Sequence, residues 1–86
     1  MYICITRRGQ ELAFRCEPSR NHRYKIWTPA TLDMEIGEMP KGSIENIIGR
    51  EMVWEDEPIE VSGGFLLGRN VIPMRFQEWI KGKEVL

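Results

Sequence analysis

Apolar and polar side chains alternate most clearly at the start of the chain, in residues 2–7 and 11–16. Alternation at every second position predicts two β-strands, and Gly9 followed by Gln10 suits a two-residue type II′ hairpin loop with glycine first. The predicted register places five apolar side chains on one face of the hairpin: Ile3, Ile5, Leu12, Phe14 and Cys16. The opposite face is expected to carry Tyr2, Cys4, Thr6, Ala13 and Arg15, because successive strand side chains alternate.

Turn-forming residues interrupt the pattern that follows. Residues 17–22 are polar and include Pro18, which predicts a surface loop, and residues 23–28 alternate as a third strand that Pro29 ends. Weaker alternation over residues 30–40 predicts a short edge strand or an extended loop.

Short elements are predicted in the second half of the chain. Ser43 suits the N-cap of a helix of one or two turns, and Gly49 suits its left-handed stop. Strands are predicted at residues 50–55 and 58–62, with an acidic turn between them. A glycine pair after the second of these strands predicts a hairpin that leads into residues 65–67.

The chain ends in a pattern typical of an amphipathic helix, predicted over residues 73–81 with Pro73 in its first turn. Apolar side chains recur there at helical spacing, at Ile72, Phe76, Trp79 and Ile80. Because 86 residues bury one modest core, residues 1–86 are expected to form a single domain. The predicted fold is α+β: a mainly antiparallel sheet or partly open barrel of five to six strands, with a short central helix and the C-terminal helix against it.

Charge is sorted along the chain, although the total is only −1. Residues 1–28 carry six basic and two acidic residues, a net charge of +4, whereas residues 29–62 carry two basic and nine acidic residues, a net charge of −7. Such sorting is typical either of a two-signed surface that recognises a charged partner or of segments that pair with each other in the fold.

The basic front of the chain contains interleaved aromatic residues. Cations that meet phosphates, together with rings that stack on bases, are typical of surfaces that bind single-stranded RNA or DNA. The candidate binding residues are Tyr2, Arg7, Arg15, Arg20, His22, Arg23, Lys25 and Trp27. A sequence pI of about 5.8 argues against a dedicated nucleic-acid domain, so this function is the alternative hypothesis.

The acidic middle of the chain favours a protein partner. Methionines and Trp54 lie among its carboxylates, and this composition suits an adaptable surface that attracts basic patches. The candidate acidic surface comprises Glu51, Glu55, Asp56, Glu57 and Glu60. The favoured function is therefore a small non-enzymatic binding or regulatory protein that acts through charged surface patches, with another protein or a second copy of the chain as partner.

Catalytic groups are few. His22 with Glu17, Arg20 and Arg23 supplies the residue types of small metal-independent nucleases, which makes such a nuclease a second alternative, but no enzyme is predicted from so loose a set. Cys4 and Cys16 with one histidine do not predict a disulfide framework or a metal site. No motif predicts a cofactor.

The chain has no apolar run approaching the length of about 20 residues that a membrane-spanning helix needs. Its first residues lack the features of a signal peptide, because the arginines follow the apolar stretch. A cytoplasmic location without membrane attachment is therefore expected.

Overall fold

A computed structural model describes residues 1–31, 34–62 and 72–81 of the chain. In chain order, the elements are β1 (Tyr2–Ile5), β2 (Glu11–Phe14), β3 (Ser19–Asn21), β4 (Ile26–Thr28), β5 (Glu35–Met39), α1 (Ser43–Ile48), β6 (Ile59–Glu60), β7 (Ile72–Arg75) and α2 (Phe76–Lys81). Five strands form one antiparallel sheet in the order β6-β1-β2-β5-β7, and β3 and β4 form a separate hairpin.

This arrangement confirms the predicted α+β fold with a mainly antiparallel sheet. The sheet is open and does not close into a barrel, because β6 and β7 lie at its two edges. The short central helix and the C-terminal helix are both present as α1 and α2.

The predicted pairing of β1 with β2 is wrong by three residues. Ile5 lies opposite Glu11 and not Phe14, since the strands are joined by a three-residue loop in which Gly9 comes last, with φ +86°. The Gly9 N–H donates to the Thr6 carbonyl at 3.0 Å, and the Thr6 N–H donates to the Gln10 carbonyl at 2.9 Å. These bonds are typical of a type I turn followed by a bulge with glycine in the left-handed region.

An odd shift in register exchanges the faces of one strand relative to the other, so both faces of the sheet are apolar. On one face, β4 and α2 cover a cluster of buried side chains: Cys4, Leu12, Phe14, Trp27, Ile36, Phe76 and Trp79. On the other face, α1 and the segment after it cover a second cluster: Ile3, Ala13, Met39, Ile44 and Met52. The sheet is therefore the middle layer of the structure.

Several predicted elements differ from the observed ones. The loop predicted at residues 17–22 contains β3, which pairs with β4. The segment 30–40 contains β5, which is an interior strand between β2 and β7 and not an edge strand. Residues 50–55 form an irregular segment with a turn and no strand.

The C-terminal helix begins at Phe76, three residues later than predicted, because residues 72–75 form β7 and pair with β5. Pro73 lacks an N–H, and it is accommodated in β7 opposite the buried Gly37. Gly49 ends α1 with φ +80° as expected, whereas the N-cap is Gly42 and not Ser43. The hairpin and strand predicted within residues 62–67 lie mostly outside the described residues.

Candidate binding groove

Arg20 is enclosed by two tryptophans. It lies on β3 directly across from Trp27 on β4, and its guanidinium carbon is 4.7 Å from the centroid of the Trp27 ring and 4.8 Å from that of Trp54. The two indoles also contact each other, with centroids 5.1 Å apart and planes tilted by 59°. A flat, weakly hydrated guanidinium suits such a position better than an ammonium group does.

The same guanidinium attaches the acidic turn to the β3–β4 hairpin. Arg20 Nη2 donates to the Asp56 carbonyl at 2.9 Å and lies 3.5 Å from Glu57 Oε1. Only 14% of the Arg20 side chain is exposed. The basic and acidic segments of the sequence therefore pair with each other at this point.

The acidic turn has its own internal bonds. The Asp56 carboxylate accepts hydrogen bonds from the Val53 N–H at 2.9 Å and from Arg50 Nη1 at 3.2 Å. The Val53 N–H, followed by Arg50, holds the pKa of Asp56 below its usual value. Residues 53–56 are thus folded back on themselves, which orients the side chains of Val53 and Trp54.

A side chain covers the edge of β1 beyond the two residues that pair with β6. β6 pairs only with Tyr2 and Ile3 of β1. Two residues farther along the same edge, the Ile5 carbonyl points away from β2 and accepts a 2.7 Å hydrogen bond from Trp27 Nε1. The Trp27 indole therefore takes the place of a longer edge strand, because β6 begins only at Ile59 and Pro58 lies before it.

A groove of about 590 Å³ lies beside the β1–β2 loop. Residues 5–9 form one wall, and residues 52–55 form the other. Val53 is 55% exposed, and Arg7 and Arg8 are exposed on the opposite wall. Within the described part of the chain, these two arginines make no ion pair and no side-chain hydrogen bond.

A second depression of about 230 Å³ adjoins the groove and reaches α1. Glu11 lies here, nearly buried, and its carboxylate oxygens accept hydrogen bonds from the N–H groups of Gly42 at 2.7 Å and Ile44 at 2.6 Å. These bonds satisfy free N–H groups at the start of α1, as an N-cap side chain does. In the sequence, Glu11 is an acidic residue at the start of an otherwise apolar strand. The predicted two-residue hairpin gave it no role.

The other candidate residues of the basic segment lie apart from Arg20 and Trp27. Arg15, His22, Arg23 and Lys25 are exposed, the last three in the β3–β4 turn, where the Asn21 side chain accepts two backbone N–H groups at 3.0 Å. Tyr2 is half-buried, and its pKa is raised by the nearby Glu60 carboxylate and then by burial. The structure therefore does not gather the predicted basic and aromatic residues into one surface.

The candidate acidic residues are similarly divided. Asp56 and Glu57 take part in the contacts with Arg50 and Arg20, while Glu51, Glu55 and Glu60 are exposed at separate places along the segment. Of these three, Glu55 lines the groove.

Thiols and carboxylates do not assemble a metal site among the described residues. Cys4 is buried and Cys16 is exposed, and both are free thiols. Burial raises the pKa of the Cys4 thiol, which disfavours its reactive thiolate form. In the described ranges, no helix has the length and apolar character needed to cross a membrane.

Comparisons with protein-family models, with curated proteins and with solved structures found no match to this chain.

Proposed function

We propose that this chain is a non-enzymatic protein-binding domain that contacts its partner through the groove between the β1–β2 loop and residues 52–55. The observation that carries the proposal is the pairing of unsatisfied charge with exposed apolar surface. Arg7 and Arg8 lie without partners in the described structure, next to a wall on which Val53 is 55% exposed. Arginine and apolar side chains at the centre of a concave surface are typical of protein contacts.

The two tryptophan rings favour a protein partner over a nucleic acid. Base stacking needs an open ring face, whereas Trp27 is 1% exposed and Trp54 packs against both Trp27 and Arg20. Single-strand binding through the exposed Arg15, Arg23 and Lys25 stays the alternative hypothesis.

A peptide selection tests the proposal. Random peptides displayed on phage are enriched on the immobilised full chain, and the affinities of the selected peptides are then measured against single variants. Val53→Gln is expected to weaken binding about tenfold or more, because it places a polar amide at the exposed apolar position. Ile72→Gln is the matched control, since Ile72 is 59% exposed but lies on β7, away from the groove.

Equal binding to the parent and to Val53→Gln would overturn the assignment of the groove. The nucleic-acid alternative is tested in parallel with a single-stranded oligonucleotide. Salt-dependent binding that Arg15→Glu with Arg23→Glu abolishes, and that Val53→Gln leaves intact, would favour that alternative instead.

A further inference from the structure

We infer that the segment bound in the groove is extended and acidic, with an apolar side chain flanked by carboxylates. This inference rests on the proposed function, and it specifies the chemistry of the partner. Charge complementarity carries it, because the groove presents two adjacent arginines on one wall and a single acid, Glu55, on the other.

Arg7 and Arg8 are the groups in the groove for which a ligand would supply anionic partners. Arg7 and Arg8 are neighbours in a three-residue loop, so their like charges repel each other when no anion is present. Two carboxylates on a partner would remove this repulsion and form forked hydrogen bonds with the guanidinium groups. The basic side chains of Arg20 and Arg50 already contact the acidic turn and do not compete for such a partner.

The hairpin loop is arranged before any ligand arrives. Three hydrogen bonds join Thr6 to Gly9 and Gln10, at 2.9 to 3.0 Å, and Gly9 has the positive φ that the loop requires. Residues 7 and 8 are therefore held at the tip of a closed loop, which lowers the entropic cost of ordering the backbone on binding.

The apolar wall specifies the second part of the ligand. Val53 is exposed in the groove beside the partly buried Ile5, and the groove volume of about 590 Å³ accommodates a few side chains of an extended segment. The proposed segment would place its apolar side chain against Val53 and its flanking carboxylates beside Arg7 and Arg8, which line the same groove. A wholly acidic segment without such a side chain would leave this wall in contact with water.

Four synthetic peptides test the inference in a glycine-serine background of eight residues. Their central tripeptides are Asp-Leu-Asp, Asn-Leu-Asn, Asp-Ser-Asp and Lys-Leu-Lys, so charge and apolar character change separately. Each is titrated to millimolar concentration into the isotope-labelled full chain, and NMR shifts are followed. The Arg20 guanidinium signal is an internal control, because that group is already enclosed.

We expect the Asp-Leu-Asp peptide to shift signals of residues 5–9 and 52–55 and to bind about tenfold more tightly than either the Asn-Leu-Asn or the Asp-Ser-Asp peptide. In the variant Arg7→Gln with Arg8→Gln, the difference between Asp-Leu-Asp and Asn-Leu-Asn should disappear. The control Arg15→Gln with Arg23→Gln should keep it.

The outcomes separate this inference from the proposed function. Equal or tighter binding of the Asn-Leu-Asn or Lys-Leu-Lys peptide would overturn the acidic partner while supporting a groove that binds protein segments. Absence of shifts with the Asp-Leu-Asp peptide would overturn the inference, and the phage selection would still decide the proposed function independently. If single-stranded oligothymidylate shifts the NMR signals of the same groove residues more strongly than the Asp-Leu-Asp peptide does, both this inference and the proposed function are overturned.

Discussion

Arg20 and the pair Arg7 and Arg8 belong to the same basic segment of the sequence, but the fold uses them differently. Arg20 lies between two indoles and donates to the acidic turn. Arg7 and Arg8 lie only 12 to 13 positions earlier, at the tip of a hairpin loop, without ion pairs in the described structure. The first region pairs its charge with carboxylate and carbonyl groups of the same chain, whereas the charges of the second region have no partner in the described structure.

The difference shows that local sequence does not decide whether a cation is free. Arg20 is enclosed because β3 pairs with β4, which places it opposite Trp27, and because Trp54 and Asp56 reach the same point from a segment more than 30 residues away. Arg7 and Arg8 lack neighbours of this kind because the chain turns back immediately after them. The candidates for a binding surface are therefore the charged side chains that the fold has not already paired.

Removing the Trp27 ring, which contacts Arg20 and donates to the Ile5 carbonyl, should have the largest effect. Trp27→Ala deletes the contacts with Arg20 and Trp54 and the hydrogen bond that covers the β1 edge, and we expect a loss of about 3 to 5 kcal/mol in the free energy of unfolding. Urea unfolding followed by circular dichroism measures this loss. Val53→Ala is the control in the neighbouring wall and should cost much less, because Val53 is 55% exposed. Equal losses in the two variants would contradict the enclosed cluster.

A smaller loss of stability is expected when Arg20 is replaced, and a still smaller one when Arg8 is replaced. Arg20→Ala should lower the free energy of unfolding by about 2 to 4 kcal/mol, since it removes two ring contacts and a charged hydrogen bond. Arg8→Ala should cost under about 0.5 kcal/mol, as expected for an exposed side chain.

Arg20→Lys sharpens this comparison because it retains the positive charge. Lysine lacks the flat fork that fits between the indoles, so roughly half of the loss should remain. If lysine restores the full stability, the charge and not the geometry of Arg20 holds the turn. Both Arg20 variants are measured by the same urea unfolding.

Much of the fold could be predicted from the alternation of side chains, while the pairing of strands could not. Several side chains of the predicted apolar faces are buried, namely Ile3, Leu12, Phe14, Phe76 and Trp79. Two others, Cys16 and Ile72, are exposed. The predicted hairpin register was wrong because a two-residue loop and a three-residue loop both place a glycine near the turn. The backbone bonds from Gly9 to Thr6 and from Thr6 to Gln10 distinguish the two loops. That one difference brought Cys4 and Ala13 into separate buried clusters on opposite faces of the sheet.

The groove could be predicted only in part. Arg7 was among the candidate binding residues, and Glu55 was among the candidate acids. Their position on facing walls depends on the pairing of β6 with β1 and on the Trp27 hydrogen bond to Ile5. Both are contacts between distant parts of the chain. Glu11 was missed for the same reason, because its partners at the start of α1 are about 30 residues away.

The smallest expected effect concerns the acidic turn and appears as a dependence on pH. The pKa of Asp56 is lowered in the folded chain, chiefly by the Val53 N–H and then by Arg50. Its contribution to stability is therefore present above the unfolded pKa of about 3.9 and is lost as the pH falls through the lowered folded value. Asp56→Asn removes this titration, so the stability difference between parent and variant should be constant near neutral pH and shrink in acid.

Urea unfolding at a series of pH values between about 2 and 7 measures that difference. Glu51→Gln is the matched control, because Glu51 is an exposed acid of the same segment, and its difference from the parent should change less with pH. If the stability difference from the parent shrinks equally for both variants in acid, repulsion among the acidic residues, and not the bonds of Asp56, governs the stability of the turn. A difference that shrinks only for Asp56→Asn would show that the turn is held by its own bonds, which keep Val53 facing the groove independently of the free arginines opposite.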